Sequence, residues 1–234
     1  MDKGCMRRMA DLQFGLAGGT MQEQTQKLTA YSFLKDKLLN CEYKPGQYIN
    51  EKEIVQTSSF GRTPIREALI LLQAEKLVTV IPRQGTYACP IVRAQVVEMY
   101  ELRKLVEPAI IEKYLTNIDL QKLSILDQKM KMMIEGKEED ARKFCELDVA
   151  FHSFLASASR CQRIMATLQP ALQETYRIAM YNKMSGTSNS LEKTYQEHHD
   201  IVAAIIAENR IRAKESLLVH LNTSLFSSLA SVNA

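Results

Sequence analysis

The sequence predicts a mainly α protein in two parts, a small N-terminal unit of short helices with a β-hairpin and then an all-helical antiparallel bundle. Apolar residues recur at three- and four-residue steps over most of the chain. The β-branched run Val78-Thr79-Val80-Ile81 is followed by a turn and Gly85, the pattern of one hairpin. Beyond residue 94 the helical stretches are broken only by short polar or glycine-containing segments, and short connections keep neighbouring helices antiparallel.

From Thr25 to Asn40 the set Leu28, Tyr31, Leu34, Leu38 and Leu39 has helical spacing, and Pro45-Gly46 turns the chain after it. Asn50 is a capping residue with Glu51 and Glu53 in the turn behind it, so a short helix runs to Thr57. Ser58 and Ser59 make a tight connection into Arg62-Thr63-Pro64-Ile65-Arg66-Glu67-Ala68-Leu69. Pro64 suits a first helical turn, Thr63 is the expected cap, and Ile65, Ala68, Leu69 and Leu72 form one apolar face. Arg62 and Arg66, four apart at the tip, are placed for phosphates or the N7/O6 edge of guanine; the bland alternative pairs Arg66 with Glu67 or Glu75.

Two short helices joined this tightly form a helix-turn-helix, whose second helix enters the major groove of DNA. The hairpin behind it makes the unit winged, with Arg83, Gln84 and Gly85 at the wing tip against a minor groove or the backbone. The expected organisation is a disordered arm over 1–22, with Met21 a possible initiator, a winged helix-turn-helix over 23–89, a linker over 90–93 and the bundle over 94–234. In the bundle, helices are expected over 94–115, with Pro108 as a kink, and over 119–134, 138–158, 161–182, 190–208 and 210–230.

Composition bounds the partners. The 234 residues carry a net charge of only +3, so nucleic-acid electrostatics must be local. Five cysteines, at 5, 41, 89, 145 and 161, form no CxxC pair, which suggests a reducing cytoplasm. No run of eighteen apolar residues occurs, so no membrane partner is expected.

All four histidines fall in the helical half. Asp148 and His152 are one turn apart on one face, and His198 and His220 are equally distant from the Asn209 break, so an antiparallel hairpin brings them level. Three imidazoles and one carboxylate in a bundle interior form a divalent-cation site, for zinc first, with nickel and manganese as alternatives. His199 points about 100° away from His198 on the same helix. Cys145, one turn before Asp148, is read as packing rather than ligating.

These residues resemble the GntR family of bacterial transcription regulators, in the branch with an all-helical FCD domain. The resemblance runs from Thr25 to Asn222 and rests on Lys44-Pro45-Gly46, Arg62 to Leu69, Leu77-Val78 and Gly85. Gly61 stands where the family usually has a hydroxyl residue, and Lys76 where it usually has glycine. The resemblance implies a DNA contact for Lys52, the metal set Asp148, His152, His198 and His220, and effector-facing roles for Arg103 and Arg177. It further implies a homodimeric repressor on palindromic double-stranded operator DNA, released or repositioned by a small carboxylate. Two other readings stand beside it: a metal sensor without organic effector, and a metal-dependent enzyme.

Overall fold

The computed structural model describes residues 21–136, 140–186 and 190–232. Residues 1–20 of the expected arm lie outside the described residues, whereas Met21 and Gln22 already belong to the first helix. The chain divides into two compact units, Met1–Lys35 with Asn50–Val78, and Asp36–Ile49 with Thr79–Ala234.

The N-terminal helices are α1 (Met21–Leu39), α2 (Glu51–Thr57) and α3 (Arg62–Ala74). Asn50 caps α2 as expected, its Oδ1 accepting from the backbone N–H of Lys52 at 3.2 Å and of Glu53 at 3.4 Å. The expected cap of α3 is corrected. Gly61 holds the cap position without a side-chain bond and the helix begins at Arg62, so Thr63 lies inside the first turn rather than at its cap. Pro64 stays in the first turn, where its missing N–H breaks no intrahelical bond.

Ile65, Ala68, Leu69 and Leu72 are buried, as the spacing predicted, together with Ile54 of α2. Phe33 packs on Phe60 at 5.5 Å between ring centroids, and Lys35 pairs with Glu75 at 2.6 Å, which fastens both ends of α3 to α1. The C-terminus of α3 is a Schellman turn. Leu77 N–H donates to Leu72 O at 2.9 Å and Lys76 N–H to Gln73 O at 3.0 Å, with Lys76 in the left-handed region at φ 59°.

In the second unit β1 (Tyr48–Ile49), β2 (Val78–Ile81) and β3 (Gly85–Ala88) make a sheet of order β1-β3-β2, with Val78 its one residue in the first unit. The β1–β3 pair is antiparallel with Tyr48 opposite Tyr87 and Ile49 opposite Thr86. Gly85 has φ 116°, and a Cβ there would lie 2.6 Å from the Tyr48 ring, so the wing needs glycine on both counts.

The bundle consists of α4 (Arg93–Tyr114), α5 (Leu120–Glu135), α6 (Ala141–Ser157), α7 (Gln162–Met184), α8 (Leu191–Ile206) and α9 (Arg210–Ser231). Each expected helix appears among the described residues, with α4 beginning at Arg93 inside the expected linker. Pro108 lies within α4, which continues through it to Tyr114. Asn209 caps α9 through its side chain, and α9 packs on both α8 and α4 while α6 packs on α7. Phe151, Leu155, Ile178, Ile201, Leu217 and Leu221 fill the centre, each such side chain contributing about 1.5–3 kcal/mol by burial.

Candidate metal centre and nucleic-acid interface

Three helices meet at one polar point inside this apolar core. Asp148 and His152 project from α6, His198 from α8 and His220 from α9, and one donor atom from each lies within 4.8 Å of all the others. The three imidazoles are at most 1% exposed. Phe151 holds two of them by edge contacts, at 5.3 Å from the His152 ring and 4.7 Å from the His198 ring.

The outward nitrogen of every ring is spoken for. His152 Nδ1 donates to Glu107 Oε2 at 2.7 Å, His198 Nδ1 to Thr194 O at 3.0 Å and His220 Nδ1 to Glu197 Oε2 at 3.0 Å. A carbonyl or carboxylate oxygen only accepts, so these partners assign the proton to Nδ1 in each ring and leave Nε2 a bare lone pair. Carboxylates behind metal-binding histidines fix the tautomer and raise ligand basicity in this same way.

Electrostatics agrees with neutral His152 and His220 rings. Burial lowers the pKa of His152 and, joined by His198 and His152 beside it, takes that of His220 well below the usual histidine value. Burial opposes ionisation of Asp148, but the surrounding imidazoles outweigh it and hold its carboxyl far below the usual range. Glu107 is likewise buried, and the Arg103 guanidinium followed by His152 brings it down to about 2.

The inward atoms do not satisfy one another. His152 Nε2 and His220 Nε2 face each other at 3.2 Å. His198 Nε2 is buried 3.1 Å from Asp148 Oδ1 without forming a regular hydrogen bond. With the ring protons assigned to Nδ1, three Nε2 atoms and a carboxylate converge, a donor set that fits a divalent cation.

The remaining predicted residues separate. Arg103 is buried, its Nε on Glu107 Oε1 at 2.6 Å and its Nη1 on Thr175 Oγ1 at 3.1 Å, while Nη2 has no partner. Arg103 thus forms an i,i+4 ion pair with Glu107 and has one buried donor left over. Arg177 goes elsewhere, its guanidinium bonding the Cys89 carbonyl and, at 3.2 Å, Glu174. His199 turns away from the cluster and pairs with Asp127 at 3.1 Å. Cys145 stands outside the donor set, and burial pushes its thiol up to about 12. Glu107 and Glu197 are the two functional side chains the sequence reading missed.

A cavity of about 700 Å³ opens beside the cluster and has Asp148 in its wall, with Tyr100 and Thr175, which both contact Arg103, beside it.

In the N-terminal unit Lys52, Arg62, Thr63 and Arg66 are all exposed at the starts of α2 and α3. Neither Glu67 nor Glu75 takes Arg66. Its Nε is 3.6 Å from Glu51 with the arginine 73% exposed, while Glu75 is engaged by Lys35 and Tyr31. A surface pair of that kind is worth about 0–1 kcal/mol, little enough for a phosphate or a guanine to replace. On the wing, Arg83 and Gln84 are exposed in the turn between β2 and β3, closed by Gln84 N–H on Ile81 O at 3.0 Å.

Comparison with known proteins covers both parts. The profile of the FCD domain matches residues 98–223, and that of the bacterial regulatory proteins of the gntR family matches residues 26–88. The chain is 27% identical over 198 residues to the HTH-type transcriptional regulator YdhC of Bacillus subtilis (strain 168), covering 83% of this chain and 87% of that one. It is 28% identical over 194 residues to the HTH-type transcriptional repressor RspR of Escherichia coli (strain K12), covering 82% and 83%. Among solved structures, a GntR protein from Rhodococcus sp. RHA1 superposes with a TM-score of 0.76 at 20% identity, over 89% of this chain and all of that one.

Proposed function

The chain belongs to the GntR family of bacterial regulatory proteins and carries an FCD domain, and from that premise we propose a repressor that binds a palindromic operator as a homodimer and answers to a small carboxylate. The family makes it a DNA-binding transcription regulator and not an enzyme. Repression is carried over from the name of its relative RspR. No helix among the described residues is long and apolar enough to cross a membrane.

One observation carries the ligand-responsive part: the four-donor cluster opens on a cavity through Asp148. Asp148, His152, His198 and His220 would hold the cation, zinc first and nickel or manganese as alternatives, and Glu107 and Glu197 would orient two of the rings. Such an ion supplies positive charge for a carboxylate that enters from the cavity. Arg103 Nη2, buried and unpartnered, is a second donor for the same carboxylate. Arg62, Thr63 and Arg66 would face base edges and phosphates, with Lys52 on the backbone and Arg83, Gln84 and Gly85 on the wing. A dimer reading one face of DNA needs its recognition helices about 34–36 Å apart, and an acid that binds one spacing better than another shifts the equilibrium between them.

The test uses a two-fold duplex selected from random sequence by the zinc-loaded protein. Operator affinity is read by fluorescence anisotropy with and without a panel of small acids. An acid that changes the affinity only in the metal-loaded protein bears the reading out. If chelation and zinc alone switch DNA binding and every acid is without effect, the protein is a metal sensor.

A further inference from the structure

Resting on the reading of α3 as the helix that enters the major groove, we infer that Ile70 is a specificity-determining residue, packing against the C5-methyl group of a thymine within two base pairs of the position read by Arg66. Arg62, Arg66 and Ile70 follow one another at four-residue steps, and all three are exposed. Four residues turn a helix by about 40° beyond a full circle, so the three side chains lie within about 80° of one another. Ile65, Ala68, Leu69 and Leu72 take the other side of α3 and are buried. Ile70 is 64% exposed and has no part in that core.

The chemistry of this row follows the edges of base pairs. Arg62 and Arg66 carry the N–H donors that match guanine N7 and O6, and Ile70 is the one exposed large apolar side chain on α3. In the major groove the apolar mark of a base is the thymine methyl, and contact with it separates T·A from the other pairs. A helical isoleucine is held largely in one rotamer, so it loses little freedom when a methyl group packs against it. No carboxylate stands in the row to repel DNA. Glu67 lies about 100° round from Arg66, and Glu75 is engaged by Lys35 and Tyr31. A protein partner fits this row less well, because one isoleucine with Arg66 a turn before it and Gln73 a turn after it makes no contiguous apolar patch. From Arg66 to Ile70 the helix rises about 6 Å, less than two base-pair steps of about 3.4 Å, and this sets the register of the two contacts.

The test uses the two-fold operator selected by the zinc-loaded full chain. Symmetry-related thymidines are replaced in pairs by deoxyuridine, which removes the methyl group and leaves every hydrogen-bonding group of the base in place. Burial of one methyl corresponds to about fourfold in affinity. One such replacement should therefore weaken the parent at least fivefold when it removes a methyl from both half-sites. The same replacement should change the affinity of Ile70→Ala less than twofold, and this loss of coupling is the signature of direct contact. Alanine is the better helix former at an exposed position, so the variant should keep its circular dichroism and its non-specific DNA binding. If no thymidine pair behaves in this way, or if deoxyuridine weakens parent and Ile70→Ala alike, the inference is overturned while the arginine contacts stand. If Arg62→Ala and Arg66→Ala also bind the operator like the parent, the reading of α3 as the groove-entering helix falls with it.

Discussion

His152 Nε2 and His220 Nε2 stand 3.2 Å apart with their rings stacked at 20°, and each ring gives its Nδ1 proton to a carboxylate. Two lone pairs that close repel unless a positive charge joins them, so a bound ion is expected to hold this point together. Binding at a hundredfold excess over Kd adds about 2.7 kcal/mol of stability. At about 2–4 °C per kcal/mol for a chain of this size, chelation should lower Tm by roughly 5–11 °C. Elemental analysis should find about one divalent ion per chain, and none after His220→Ala. Equal Tm with and without chelator, and no metal in protein grown in supplemented medium, would remove the site.

Glu197→Gln tests the carboxylate behind His220 without touching a donor atom. The His220 Nδ1–Glu197 bond of 3.0 Å fixes the ring so that Nε2 faces inward, and a neutral amide can present its N–H group there instead. Metal affinity, read by competition with a chromophoric chelator, should drop about 10–100-fold while the helical circular dichroism is kept. Glu107→Gln should do more, because it also strips Arg103 of its buried partner at 2.6 Å, a loss of about 3–5 kcal/mol that urea unfolding of the apo form would register. Equal effects of the two variants on apo stability would contradict this division of labour.

The four donors were legible in the sequence because each relation was local or symmetric: Asp148 and His152 are one helical turn apart, and His198 and His220 are equidistant from Asn209. Their outer partners were not. Glu107 meets His152 only because α4 packs on α6, and on α4 itself its evident partner was Arg103. Glu197 adjoins His198 in the chain yet serves His220 across the hairpin, since successive helical residues point about 100° apart. Arg177 illustrates the converse, a helix residue whose guanidinium the packing directs to the Cys89 carbonyl. Helix positions followed from periodicity, and the cap of α3 slipped by two residues because Gly61 and Thr63 are both acceptable neighbours of a Pro-led first turn.

Lys76→Gly should stabilise the N-terminal unit. Lys76 closes the Schellman turn of α3 at φ 59°, a conformation that costs an L-residue about 1 kcal/mol or more and costs glycine nothing. The two hydrogen bonds that close the turn join backbone groups, so neither is lost with the side chain. Glycine's greater freedom in the unfolded chain subtracts part of the gain, and a net rise of about 0.5 kcal/mol is expected by urea unfolding. A fall in stability would mean that the lysine side chain holds something the turn needs.

Arg66 and Lys52 should differ in how they fail, since one is placed for base edges and the other for the sugar-phosphate backbone. Arg66 projects from the second turn of α3, 73% exposed and approached at 3.6 Å by Glu51, a pairing DNA can displace at little cost. Arg66→Ala should weaken the selected operator by about 1–3 kcal/mol and relax preference at one base position, while non-specific binding falls much less. Lys52→Ala should weaken all sequences alike and reduce the slope of log affinity against log salt by about one. Arg62, at the first position of α3 and beside the helix N-terminus, should resemble Lys52 in its salt dependence if it grips phosphate and Arg66 if it reads guanine. The salt slope of the Arg62→Ala variant, set beside its operator preference, decides which, and all three variants binding like the parent would dismiss the tip of α3 as the reading surface.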